Sequence, residues 1–118
     1  MKQLTILDIH EVMKRLDKKE LLYIKQMIHS FRSGKGFIND IEHIVYDISS
    51  INVPVLVMYS PYDGSVSPEN SKRVINEVQN CTAYEVQTDS HLIWIGSHSI
   101  DVWKKRLNFL IREISTAT

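Results

Sequence analysis

The stretch VPVLVMYSPYDGSVSPE, residues 53–69, combines three signals that together indicate the fold. Residues 53–59 form a nearly continuous apolar run bounded by turn residues, which is typical of a strand buried on both faces in a parallel sheet. A loop rich in proline and glycine follows and carries one carboxylate, Asp63. Ser67 and Pro68 then have the residue types of a helix N-cap and first helical position. The stretch therefore predicts a strand, a loop and a helix.

The chain beyond this stretch predicts a second strand and a last helix. The helix that begins at Pro68 should reach about residue 79, and a short strand should cover residues 82–87. Strand, helix and strand in this order form a right-handed crossover with two parallel strands, so we expect an α/β fold. A helix over about residues 100–114 should follow. Its apolar side chains are expected to be buried, and they are Val102, Trp103, Leu107, Leu110 and Ile114.

The first 50 residues predict helices. Asp8 with Glu11, and Asp17 with Glu20, have the spacing of capping boxes, so two short helices at an angle are expected over about residues 9–16 and 18–32. A third helix is expected from about residue 41. The expected organisation is a helical segment at residues 1–50 and a strand-helix-strand-helix unit at residues 51–118. In the second helix, one apolar stripe should be buried, formed by Leu21, Ile24, Ile28 and Phe31.

Composition limits the classes of partner and location. The 118 residues carry a formal net charge of zero, which argues against nucleic acid, because phosphate binding needs a basic face. No apolar run approaches the roughly 18 residues of a membrane span. The N-terminal sequence has no secretory h-region, so a cytoplasmic protein is expected. Cys81 stands alone, so neither a disulfide framework nor a cysteine-based metal site is expected. We expect no cofactor.

Two polar residues follow the two predicted strands. Asp63 comes after the first strand and His91 after the second. The carboxyl ends of neighbouring parallel strands meet at one edge of a sheet, where functional residues collect. An aspartate beside a histidine can hold the imidazole in one tautomer, as in the acid and base of a Ser-His-Asp triad. The alternatives are that Asp63 is an ordinary turn residue and that His91 binds metal with His98, although their spacing is not a known ligand pattern.

Residues 51–114 resemble the C-terminal part of an α/β-hydrolase. That family has an apolar strand near a proline, here INVPVLVMY, and a D-x-x-V-x-P loop, met here by Asp63, Val66 and Pro68. A histidine loop, here DSHLIW, and a final helix, here VWKKRLNFLIREI, complete the similarity. The order of acid before histidine is that of the family. The resemblance implies a partial α/β-hydrolase fold with a cap-like first segment. It also implies that Asp63 is the triad acid and His91 the general base.

The rest of a serine hydrolase is not recognisable in the sequence. The nucleophile elbow G-x-S-x-G is absent, and no HGGG-like segment supplies an oxyanion hole. The chain therefore resembles only the last part of such an enzyme, as a truncated or split gene product or a deliberately shortened chain. We expect negligible esterase activity from it alone, and a small-molecule substrate only in the complete enzyme. The substrate itself is not readable, because fold does not determine function.

The expected partners follow from the incomplete sheet. An apolar strand with an unpaired edge invites association, so a homo-oligomer is expected, unless a missing N-terminal hydrolase portion covers that edge. Two other interpretations stay open. The chain could be a non-catalytic α/β module that binds a partner or small molecule, or a subunit completed by a separate chain that bears the serine.

Overall fold

A computed structural model describes residues 4–30 and 47–117. Within them the helices and strands occur in a mixed α/β order. They are α1 (Ile9–Lys14), α2 (Lys18–Ser30), β1 (Val55–Tyr59), α3 (Pro68–Glu77), β2 (Cys81–Glu85) and α4 (Ser99–Thr116). The third helix predicted from about residue 41 lies largely outside the described residues. None of the described helices is both long and apolar enough to cross a membrane.

The sheet has the predicted parallel pairing. β1 and β2 are neighbours in a parallel register that runs from Val55 opposite Cys81 to Tyr59 opposite Glu85, with α3 as the crossover. β1 begins two residues later than predicted. Pro54 has no N–H to donate to a ladder, and the first ladder bond is from the Val55 N–H to the Asn80 carbonyl, at 2.9 Å.

The predicted helix caps are present. The Asp8 side chain accepts backbone N–H groups at the start of α1. Asp17 and Glu20 form a reciprocal box: the Asp17 N–H donates to the Glu20 carboxylate at 2.9 Å, and the Glu20 N–H donates to the Asp17 carboxylate at 2.8 Å. Ser67 caps α3, with Pro68 as its first residue. These local bonds define where the helices begin.

The described core joins the helical segment to the loop after β2. Ile24 of α2 is buried with Leu92 and Ile95, both of which lie just beyond His91. The other carboxylate oxygen of Glu20 accepts the N–H of Gly96 at 2.9 Å, which ties the start of α2 to the same loop. The first 30 residues therefore support the segment that carries the candidate histidine.

Four of the five apolar side chains of the last helix that were expected to be buried are exposed, so this prediction is wrong for all but Val102. In α4 only Val102 is buried, whereas Trp103 is 51% exposed, Leu107 57% and Ile114 66%. An 18-residue helix is about 27 Å long, and a five-residue strand spans only about 17 Å. A sheet of two such strands is therefore too small to cover the apolar face of α4. Leu110 lies on the same exposed face.

Other apolar positions are also more exposed than expected. Every residue of β1 is half-buried, although the sequence predicts a strand covered on both faces. Trp94, in the loop after β2, is 38% exposed. In the α2 stripe Ile24 is buried, but Ile28 is 42% exposed. The described residues thus leave an unusual amount of apolar surface uncovered.

Candidate functional site

The loop after β1 holds the carboxylate of Asp63 in one orientation. One oxygen, Oδ1, accepts the backbone N–H groups of Ser65 at 2.8 Å and Val66 at 2.9 Å. The Asp63 side chain is only 9% exposed. This local turn satisfies Oδ1 and leaves Oδ2 directed at a different partner.

That partner is His91, in the loop that follows β2. Its Nδ1 lies 2.7 Å from Asp63 Oδ2, so the structure brings the two predicted site residues together. An ionised carboxylate can only accept a hydrogen bond, so Nδ1 carries the proton and Nε2 of the neutral ring presents a lone pair. The His91 side chain is 37% exposed, with the ring of Trp94 edge-on at 6.4 Å between centroids. A mostly buried acid thus orients an accessible base.

A buried hydroxyl ties the two loops together beneath this pair. Ser60, at the end of β1, is fully buried, and its hydroxyl donates to the carbonyl of Thr88 at 2.5 Å. The same hydroxyl accepts the N–H of Tyr62 at 3.1 Å. Sequence reasoning missed Ser60. The signal available was a small polar residue immediately after an apolar strand, which by itself is an ordinary turn residue.

The chain's own N-terminal segment also reaches the site. Thr5 forms an isolated antiparallel bridge with Asp63. The His91 N–H donates to the carbonyl of Leu4 at 2.7 Å, and the Ile6 N–H donates to the carbonyl of Tyr62 at 3.1 Å. The sequence predicts only a cap-like role for this part of the chain. Its contacts with the site are main-chain bonds, which no side-chain pattern reveals.

A cavity of about 240 Å³ lies beside the site, between the first two helices and the chain after β2. Its lining includes Arg15, Gln87, Leu92 and His98. Arg15 also makes an ion pair with Asp89, in which a single guanidinium nitrogen, Nη1, lies 2.9 Å from each carboxylate oxygen. Residues from both halves of the chain therefore form this cavity, while the Asp63–His91 pair lies outside its lining.

The described residues contain three further histidines, which are His10, His29 and His98. His98 precedes α4 and makes no side-chain capping bond there. His10 and His29 are exposed on helices. Among residues 4–30 and 47–117, no group of three or more histidine, cysteine or acidic side chains is arranged to hold a metal ion. These histidines lie apart from the Asp63–His91 pair.

Tyr59 ends β1 next to Ser60 and has a perturbed hydroxyl. Burial raises the pKa of the Tyr59 phenol above its usual value, and the nearby Glu85 carboxylate raises that pKa further. The Tyr59 hydroxyl donates to that carboxylate at 3.1 Å. The phenol therefore stays protonated at neutral pH and links the ends of the two strands.

Comparisons with known proteins give one distant relative. No protein-family model matches the chain, and no solved structure matches it. The uncharacterized hydrolase YcgS of Bacillus subtilis (strain 168) is 26% identical over 112 residues, which cover 92% of this chain and 39% of the relative. The chain thus spans about two fifths of the length of the curated relative it matches. The similarity suggests a fragment of a hydrolase-like protein.

Proposed function

We propose that this chain supplies the acid and the general base of a serine-type α/β-hydrolase that cleaves carboxylic esters or related acyl compounds. The observation that carries the proposal is the 2.7 Å contact between Asp63 Oδ2 and His91 Nδ1. The distant similarity to a protein named as a hydrolase supports it. In this proposal residues 1–50 are cap-like, and residues 51–118 are the last strand-helix-strand-helix unit of the fold.

The proposed roles follow from the geometry of the pair. His91 Nε2 takes the proton of a serine hydroxyl as that oxygen attacks the acyl carbon, and then returns a proton to the leaving group. Asp63 keeps the ring in the Nδ1–H tautomer and stabilises the imidazolium that forms. The two backbone N–H groups on Oδ1 hold the carboxylate in the orientation that directs Oδ2 at Nδ1.

The nucleophile and the oxyanion donors come from outside this sequence in our proposal. No G-x-S-x-G segment is present, and about three fifths of the relative's length has no counterpart here. Loss of a single oxyanion donor alone costs about 10²–10³-fold in kcat. We therefore expect hydrolysis only when another polypeptide, or a further portion of this protein, supplies the serine.

The test compares the free chain with a complemented one. The free chain is assayed with a p-nitrophenyl ester series and a fluorophosphonate probe, then again after co-expression with the part of YcgS that lies outside the match. We expect background turnover from the free chain. The co-purified pair should hydrolyse ester, His91→Ala should abolish this, and His29→Ala, at an exposed helical position, should not.

Two results would contradict the proposal. One is ester turnover by the free chain that is well above background and vanishes in His91→Ala, because the chain would then need no serine from outside. The other is a co-purified complex that shows no hydrolysis and no probe labelling across the ester series.

The exposed face of α4 favours a second candidate, a non-catalytic α/β module that functions as an oligomer. Trp103, Leu107 and Leu110 are each about half exposed, and an apolar surface of this kind marks an association site. This candidate predicts that association is unchanged by His91→Ala and that no complement restores hydrolysis.

A further inference from the structure

We propose that residues 4–7, here called the strap, position the Asp63–His91 pair by binding the acid loop and the histidine loop at the same time. The inference rests on the proposed function for the use of the pair, but its geometry stands on contacts of the strap alone. Residues of the strap are thus positioning residues, which act through Asp63 and His91 and do not touch substrate.

The strap makes main-chain bonds to both loops from positions two residues apart. The carbonyl of Leu4 accepts the N–H of His91 itself, at 2.7 Å. The N–H of Ile6 donates to the carbonyl of Tyr62, the residue just before the acid, at 3.1 Å. Between them, Thr5 pairs with Asp63 in an antiparallel bridge. A displacement of the strap would therefore move one loop relative to the other.

The strap is itself anchored on both sides. The side chain of Leu4 packs against the core cluster that contains Ile24 and Leu92. Thr5 is only 5% exposed; its hydroxyl donates to the carbonyl of Asp89 and accepts the N–H of Leu7 at 3.0 Å. The Thr5 hydroxyl thus bonds the strap to the loop two residues before the histidine.

The acid loop has a glycine where the strap comes closest. A Cβ added at Gly64 would lie 2.7, 2.8 and 2.9 Å from the backbone C, O and N atoms of Thr5. Backbone atoms cannot rotate away as a flexible side chain can, so any larger residue at Gly64 pushes the strap from the acid loop. Gly64, the residue after Asp63, therefore allows the close approach of the strap through its lack of a side chain, and this contact is independent of the Thr5 hydroxyl.

The position of the strap should control the hydrogen bond between Asp63 and His91. The 2.7 Å contact between Asp63 and His91 is near the short end of the range for such bonds, and it weakens steeply as distance and angle change. Ser60 and the β-ladder connect the two loops near the ends of the strands. The strap connects them at His91 itself and at Tyr62, next to the acid. Loosening the strap should leave the sheet intact and release the imidazole from its Nδ1–H tautomer.

The test measures that tautomer directly in the full chain. Ring ¹⁵N shifts of His91, and the downfield Nδ1–H proton resonance, are recorded by NMR with the imidazole neutral. We expect the Nδ1–H tautomer to predominate in the wild type and to lose its predominance in Thr5→Val, which removes the hydroxyl at constant shape. Gly64→Ala should produce the same loss without removing any hydrogen-bonding group.

Two matched variants serve as controls. Thr5→Ser keeps the hydroxyl and should retain the wild-type tautomer. Ile6→Ala alters a side chain of the strap that is 67% exposed and leaves its main-chain bonds, so it should also retain the tautomer. The free energy of unfolding of all four variants is measured by urea. If the tautomer changed only because the fold is less stable, its loss would follow the decrease in that free energy across the four variants.

The outcomes separate this inference from the proposed function. The role of the strap would be overturned if both Thr5→Val and Gly64→Ala kept the wild-type Nδ1–H tautomer. It would also be overturned if Ile6→Ala lost that tautomer to the same extent as they do. If Thr5→Val does not fold, the result from Gly64→Ala decides. The NMR measurement needs no nucleophile or substrate, so failure to detect hydrolysis does not affect it, and a failed strap leaves the acid–base pair itself in place.

Discussion

Asp63 and His91 meet through one hydrogen bond of 2.7 Å although 28 positions separate them in the chain. The contact exists because β1 and β2 are parallel neighbours, which brings the loops at their carboxyl ends to one edge. The acid is mostly buried and the histidine is accessible, so the base is open to a reacting group while its orienting carboxylate is protected. This difference in exposure is what the proposed chemistry requires.

Asp63→Asn should reverse the tautomer of His91. The Asn oxygen can still accept the N–H groups of Ser65 and Val66, which turns the amide NH₂ toward Nδ1 and leaves Nε2 protonated. In the complemented enzyme we expect kcat to fall by about 10⁴-fold, the size of effect that the wrong tautomer has in a triad. Asp101→Asn, at an exposed position on α4, is the control. A complemented Asp63→Asn protein with wild-type kcat would exclude the triad role.

Ser60→Ala should destabilise the chain. The change leaves the carbonyl of Thr88 and the N–H of Tyr62 without the hydroxyl that both bind, in a fully buried position. An unsatisfied buried polar group costs about 1–3 kcal/mol. Urea unfolding should show this loss, whereas Ser50→Ala, at an exposed position, should change the free energy of unfolding by less than about 0.5 kcal/mol. Equal stability of the two variants would mean that the buried bond contributes nothing.

The apolar face of α4 should drive self-association in the free chain. Ile100, Trp103, Leu107, Leu110 and Ile114 recur at alternating three- and four-residue spacings, and each is between 48% and 66% exposed. Such a stripe is the seam pattern of packed helices. Light scattering should report a homodimer or higher oligomer for the wild type. Leu107→Glu should reduce its mass toward that of the monomer.

The control for this prediction is Asn108→Glu, which adds the same charge to α4 at a position outside the stripe. A wild-type chain that stays monomeric at high concentration would contradict the prediction. Oligomers that persist in Leu107→Glu would place the interface elsewhere, with the open edge of β1 as the next surface to test.

Tyr59 should make stability fall in alkaline solution. Burial, followed by the Glu85 carboxylate, raises the pKa of this phenol in the folded state. The folded state therefore holds the proton more tightly than the unfolded chain. Its contribution is fully present below the ordinary pKa of about 10 and is lost as pH rises through the raised value. Urea unfolding of wild type and Tyr59→Phe should diverge in this window. Parallel pH profiles for wild type and Tyr59→Phe would contradict the assignment.

Patterns among residues close in the chain were enough to predict the order of the described helices and strands, the helix caps, and Asp63 and His91 as the candidate acid and base. These depend on local rules: apolar periodicity distinguishes strand from helix, and Asp17 with Glu20 or Ser67 with Pro68 satisfies the free N–H groups of a helix start. The contact between Asp63 and His91 was predictable because each lies in the loop that follows a strand of a parallel pair. These predictions needed only patterns among residues close in the chain and one topological rule, that the carboxyl ends of neighbouring parallel strands meet at one edge of the sheet.

How the pair is held, and which apolar surfaces are covered, depends on contacts between distant parts of the chain that the sequence does not reveal. The Ser60–Thr88 tie and the strap depend largely on main-chain carbonyl and N–H groups, which every residue possesses and no sequence pattern distinguishes. The exposure of α4 depends on how many strands lie beneath it, and the described sheet has two. Periodicity shows that a helix has an apolar face, but burial of that face requires a partner surface large enough to cover it.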